Sequence, residues 1–192
     1  MMKLGRGLVM KSRAYDLARY SFASGEQVLI DANIWLYMFP APGNPPYKHA
    51  SNYSKAFQNL KMANAEPVLD FMILSEYLNR YCRIEWEANH KSAYPKFKDF
   101  RVSSDFTVVA STAHTFATKI LSFCKAHSVR ADELDLKAAL TDFQSGKLDF
   151  NDAVIVEVCK KRNLKLMTND GDFEYGGIEL LTTNPKLLSA CP

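Results

Sequence analysis

Short apolar runs alternate with amphipathic stretches along this chain. Residues 27–31 (QVLID) form an apolar run that ends on a carboxylate, which marks a short buried strand. Residues 33–38 read as the start of a helix, which the Pro-rich segment from Pro40 must stop. A helix is predicted over 47–63, with Ala50, Tyr53, Phe57 and Leu60 on one face. Residues 67–71 (PVLDF) read as a second strand, and 72–86 as a helix with Ile73, Tyr77, Tyr81 and Ile84 in register. Residues 110–127 are helical in composition, and 136–143 make a shorter helix. Residues 152–163 (DAVIVEVCKKRN) read as a helix whose acidic start and basic last turn complement its dipole. Residues 164–168 (LKLMT) and 178–182 (IELLT) read as strands, the second after a turn at Gly176-Gly177. Strands alternating with helices predict an α/β sandwich of three layers, with a mainly parallel sheet between helices. The pattern does not give the order of the middle elements.

Composition narrows the picture. The chain has 192 residues, 47% of them hydrophobic and 23% charged, which suits one folded domain and excludes disorder as the main state. The longest charge-free stretch, 32–47, is broken by Pro40, Pro42, Pro45 and Pro46, whereas a spanning helix needs about 20 apolar residues. No secretory signal is expected, because the apolar stretch near the start is too short. The net charge of +3 favours anionic partners weakly. Lys3, Arg6, Lys11, Arg13 and Arg19 face Asp16 alone, so residues 1–26 read as a basic extension and 27–192 as the domain. Cys82, Cys124, Cys159 and Cys191 form no C-x-x-C pair and lack a His at ligand spacing, so the expectation is reduced thiols, no zinc site and a cytoplasmic protein. Cys159 falls in an apolar helical run and reads as a buried thiol.

The chemistry is sought at the carboxyl ends of the strands, where open α/β sheets collect ligands. Asp31 ends the first predicted strand, and Asn169 and Asp170 follow LKLMT. Asp152 opens the helix feeding that strand, and Glu76 lies early in the helix after PVLDF. Four carboxylates far apart in sequence are thus expected at one edge. Like charges raise one another's pKa, and a hard divalent cation such as Mg²⁺ or Mn²⁺ removes the repulsion. Bound water at such an ion is a better nucleophile, and the ion stabilises phosphoryl charge.

At these positions the chain resembles the PIN-domain ribonucleases. The segments that carry the likeness are VLIDANIWLYMF, LSEYLNR and LDFNDAVIVEVCKKRNLKLMTNDGDF, spanning roughly residues 27–182. The resemblance implies a Mg²⁺- or Mn²⁺-dependent nuclease acting on single-stranded RNA. It assigns Asp31, Glu76, Asp152 and Asp170 to the metal, and Asn33 and Thr168 to orienting them by hydrogen bonds. Many small bacterial members are toxins of type II toxin–antitoxin pairs, resembling the VapC type. That implies an antitoxin protein as partner, and homodimers are common in the family. This chain is longer, carries the basic extension, and has extra length between Glu76 and Asp152.

Each acid also has a plainer reading. Asp31 alone suits a strand-end turn, Glu76 a solvated helix face, and Asp152 a helix N-terminal acid. Asp149 is either a helix cap or a further acid near the metal. Asp172 either serves a second metal or shapes the turn N-D-G-D. Residues 80–101 mix Arg80, Arg83, Lys91, Lys96, Lys98 and Arg101 with Tyr81, Trp86, Tyr94, Phe97 and Phe100. Such a mixture could follow phosphates and stack bases, or its aromatics could be core; Arg80, Arg83, Lys96, Lys98 and Arg101 are the RNA-contact candidates. His49, His90, His114 and His127 fall in no catalytic spacing.

Other classes fit less well. A phosphatase of the haloacid dehalogenase kind wants D-x-D, but Asp31 is followed by Ala32 and Asn33. A Rossmann-type binder wants G-x-G-x-x-G, which is absent along with any P-loop. A non-catalytic PIN-like RNA-binding or assembly module is the remaining alternative, and the presence of all four acids favours catalysis over it.

Overall fold

The computed structural model describes residues 10–44, 47–126 and 129–191. Lys3, Arg6, Pro45, Pro46 and His127, named above, lie outside the described residues. Six strands form one sheet: β1 (Arg13–Asp16), β2 (Gln27–Ile30), β3 (Glu66–Leu69), β4 (Lys125–Ala126), β5 (Lys165–Met167) and β6 (Glu179–Thr182). Their order is β1-β6-β5-β2-β3-β4, and every neighbouring pair is parallel. The helices are α1 (Ala32–Met38), α2 (Ala50–Met62), α3 (Phe71–Glu85), α4 (Phe97–Arg101), α5 (Ser104–Phe123), α6 (Leu136–Gln144), α7 (Phe150–Arg162) and α8 (Pro185–Ala190). This is the α/β architecture expected, with a parallel sheet flanked by helices.

The winding of the sheet decides where a ligand can sit. From β2 the chain moves outward through β3 to β4, then returns and lays β5 on the other side of β2. The direction of winding therefore reverses between β2 and β5, and the crevice at their carboxyl ends is the expected ligand site. Ile30 pairs with Met167 in register, so the residues just after them, Asp31 and Thr168, emerge side by side. Both strands are core: Val28, Leu29, Ile30, Leu166 and Met167 are fully buried.

Local signals explain most element ends. Asp70 caps α3 by accepting from the Met72 amide, and Asp149 caps α7 by accepting from the Asp152 amide. Asn163 ends α7 in the left-handed conformation at φ 51°, a conformation Asn tolerates. In α7 every residue from Ala153 to Cys159 is buried, so this helix runs through the core. Cys159 is the buried thiol expected, and burial pushes its pKa up. The turn at Gly176 is forced by packing as well as by backbone. Its φ is 126°, and a Cβ there would stand 2.8 Å from the Val156 methyl.

The structure departs from the pattern in several places. The second half of the basic extension is not appended to the fold, because β1 pairs with β6 as the sheet edge. Helix α5 begins at Ser104, not at residue 110, with the Ser103 hydroxyl accepting from the Phe106 amide. The β-branched run Thr107–Val109 disguises that start. The helix then stops at Phe123 to release the two-residue strand β4. Helix α3 continues past Glu85 as a π-turn through His90.

Candidate active site

Asp31 stands at the reversal point, as the residue that ends β2 and begins α1. It is 4% exposed. Its Oδ2 accepts from the Thr168 hydroxyl at 2.6 Å and from Asn33 Nδ2 at 2.5 Å. The Thr168 oxygen in turn accepts from Asn33 Nδ2 at 3.1 Å and from the Asp170 amide at 3.0 Å. Asn33 Oδ1 accepts from the Asn169 amide at 3.2 Å. One D-x-N turn after β2 is thereby fastened to the T-N-D turn after β5, and the segments that carried the sequence argument meet in space.

Burial pushes the Asp31 pKa up to about 7; the Thr168 bond opposes this, and the charges of Glu76 and Asp170 add to it. Asp152, in the first turn of α7, is pushed up to about 8 by burial and by Asp149, Asp31, Asp170 and Glu76. Asp31 thus feels Glu76 and Asp170, and Asp152 feels all of these acids and Asp149. Among the described residues no Lys or Arg forms an ion pair with Asp31, Asp152 or Asp170. Glu76 is different: Arg80, one turn on, bridges to it at 3.2 Å.

The acids share an edge but do not close into a cage. Among the described residues no three His, Cys, Asp or Glu side chains converge closely enough to hold a metal ion as they stand. The chemistry of the acids still suits a hard divalent ion. All donors are carboxylate oxygens, and Mg²⁺ keeps several waters while binding through one or two carboxylates.

Asp149 serves as the α7 cap, with its Oδ1 2.8 Å from the Asp152 amide, and from there it also raises the Asp152 pKa. In the turn N-D-G-D it is the Asp170 side chain that caps, its Oδ1 accepting from the Asp172 amide at 3.0 Å. The basic-aromatic segment does not act as a unit. Tyr81, Trp86 and Phe100 are buried, and Tyr94 and Phe97 are half-buried among them, so these rings are core and do not offer faces to bases. This corrects the stacking reading of residues 80–101. Arg83 lies over the Phe97 ring at 4.6 Å, Lys96 and Lys98 are exposed on and before α4, and Arg101 lines a groove between α3 and α5. Of the basic candidates, Arg80 is the one bonded to the acidic edge.

Behind these groups lies a second layer of polar side chains that the sequence pattern does not mark. The Tyr53 hydroxyl donates to Asn169 Oδ1 at 2.8 Å and accepts from the Thr183 amide at 3.1 Å. Asn169 Nδ2 donates to the Tyr37 hydroxyl at 3.0 Å, and Asn184 Nδ2 to the Asn169 carbonyl at 2.8 Å. Tyr53 lay on the apolar face predicted for its helix, so only its hydroxyl could have marked it.

Beside the acids, a cavity of about 440 Å³ is lined by Phe71, Met72, Ser75, Glu76, Asn79 and Asn151. Among the described residues no helix is long and apolar enough to cross a membrane.

Comparison with known proteins follows the same lines. The family model described as PIN domain matches residues 28–177, which takes in every acid of this edge. Among solved structures, the chain is similar to a chain of VapBC2 from Rickettsia felis, crystallised bound to a DNA fragment from their promoter. That likeness covers 81% of this chain and 98% of the other, at 15% identity and a TM-score of 0.53, and it extends to the fold. No curated protein matches the chain.

Proposed function

The chain belongs to the PIN-domain family, whose members are generally nucleases that use divalent metal ions, and we propose that it is a Mg²⁺- or Mn²⁺-dependent endoribonuclease cleaving single-stranded RNA. What supports this reading is that Asp31 and Asp152, at the β2–β5 crevice, are both raised in pKa by burial and by the charges of the other acids, and that among the described residues neither is paired with a Lys or Arg.

In this reading Asp31, Glu76, Asp152 and Asp170 are the residues that would hold the ion. The ion supplies an activated water and charge stabilisation at the scissile phosphate. Thr168 and Asn33 aim Asp31 by fixing its Oδ2. Asn169, tied to Tyr53 and Tyr37, holds the turn that carries Asp170. Asp149 sets the first turn of α7 and so the direction of Asp152. Arg80 neutralises Glu76 in the resting protein and is the cation placed to take up a phosphate. The narrower reading is the toxin of a type II toxin–antitoxin pair, with an antitoxin covering the acidic edge and a homodimer as the assembly. Family membership and the fold likeness to a VapBC2 chain support it.

The test is cleavage of a labelled single-stranded RNA by the full chain, first with Mg²⁺ or Mn²⁺ and then with EDTA, beside Asp31→Asn. Cleavage that needs both the ion and Asp31 is the expected result. Equal cleavage by Asp31→Asn would remove the assignment. No cleavage and no ion uptake by calorimetry would leave a non-catalytic module.

A further inference from the structure

The cavity beside Glu76 has a character unlike the acidic edge it adjoins. Its walls come from the first turns of α3 and α7, and two of its residues border the site: Glu76 itself, and Asn151, which precedes Asp152. Apart from Glu76 the lining is uncharged: Phe71, Met72, Ser75, Asn79 and Asn151. The lining itself carries no cation, and the charge of Glu76 is taken up by its bridge to Arg80, so the cavity offers a ligand a neutral, polar and aromatic surface. Its volume of about 440 Å³ falls within the usual range for small-molecule pockets.

Phe71 gives the cavity its direction. It is 67% exposed at the first position of α3, which the Asp70 side chain caps through the Met72 amide. Among the described residues, the other exposed phenylalanines, Phe123, Phe143 and Phe150, each pack on another ring. Phe71 packs on none among them. An open ring face on a capped helix start, with a hydroxyl and two amides around it, matches how single-stranded nucleic acid is gripped. Unpaired bases stack on aromatic rings while polar side chains bond their edges. Asn79 and Asn151 each offer donors and an acceptor, and Asn79 holds Ser75 only at 3.4 Å.

We propose that this cavity is a nucleobase subsite: Phe71 stacks on the base next to the scissile phosphate, and Ser75, Asn79 and Asn151 bond its edge. The proposal rests on the nuclease reading above. It gives the enzyme a base preference at one position beside the cut, set by neutral amides, while the acids handle the phosphate.

The test uses short single-stranded RNAs carrying 2-aminopurine at each position in turn, titrated with the full chain in Ca²⁺, together with cleavage of the same sequences in Mn²⁺. One position should be quenched on binding. Phe71→Ala should abolish that quenching, weaken binding roughly tenfold, and leave the melting temperature unchanged. Phe71→Trp should retain both quenching and affinity. Asn79→Ala should flatten the base preference at the quenched position. Quenching that depends on Phe71 without any cleavage would keep the subsite and defeat the nuclease reading. Cleavage and binding by Phe71→Ala that match the wild type, or quenching at no position, would overturn the subsite alone.

Discussion

The Thr168 hydroxyl donates to Asp31 Oδ2 at 2.6 Å, joining the ends of two strands 137 residues apart. Both residues are buried, and the bond faces a carboxylate that also accepts from Asn33. Thr168→Val removes the donor at nearly constant volume. Loss of a buried bond to a charged group costs about 1–3 kcal/mol, and loss of an outer-shell partner lowers metal affinity roughly 10–100-fold. The variant should therefore show a lower urea midpoint and weaker Mn²⁺ uptake by calorimetry. Thr168→Ser, which keeps the hydroxyl, should restore most of both. A Val variant with wild-type Mn²⁺ affinity would show that Thr168 supports the fold and not the site.

Stability of the metal-free protein should fall as pH rises. Asp31 and Asp152 hold their protons in the folded state up to about 7 and about 8, whereas in the unfolded chain both titrate near 4. Below about pH 4 both states are protonated and the stabilising contribution is whole. As pH rises the unfolded chain ionises first, and the contribution is lost through the folded-state values, by an amount on the order of a few kcal/mol for buried Asp31. Melting in EDTA should drop between about pH 5 and pH 8.5. Mn²⁺ should reverse the drop at the upper end, because it binds the ionised carboxylates. Asp152→Asn should flatten the slope and raise the melting temperature at pH 8. A melting temperature that climbs over this range would contradict the burial of these acids.

The elements that carry the candidate acids were readable because their ends are local signals. Asp31 and Asp170 follow recognisable strands, Asp152 lies in the first turn of a recognisable helix and Glu76 in the second turn of another. The Asp149 cap was readable from its three-residue spacing to Asp152. What could not be read depends on tertiary contact. Strand β1 (RAYD) has no apolar run of its own and becomes a strand by pairing with β6. Helix α8 was not anticipated: it starts with Asn184 accepting from the Lys186 amide and packs on the edge strand β1. The aromatics of residues 80–101 looked like stacking platforms, because sequence cannot tell a buried ring from an open one. The open ring is Phe71, in a segment that read as the end of a strand.

The role of Arg80 is open to a salt titration. It pairs with Glu76 at 3.2 Å, the two side chains being 50% and 29% exposed, and its charge also acts on the Tyr37 and Tyr47 hydroxyls. Exposed pairs of this kind contribute at most about 1 kcal/mol, so Arg80→Ala should leave the melting temperature nearly unchanged. Two effects on function oppose each other. Freeing Glu76 strengthens its pull on a divalent ion, and losing the guanidinium weakens the hold on a phosphate. Affinity at one salt concentration mixes them, but the slope of log K against log salt does not. Each phosphate contact to a single strand contributes about 0.7 to that slope. Arg80→Ala should reduce the slope for single-stranded RNA by about that amount, with Mn²⁺ affinity unchanged or higher. Arg83→Ala is the matched control, since Arg83 lies over the Phe97 ring at 4.6 Å, and it should leave the slope as it was. Equal slopes for wild type and Arg80→Ala would confine Arg80 to its pair with Glu76.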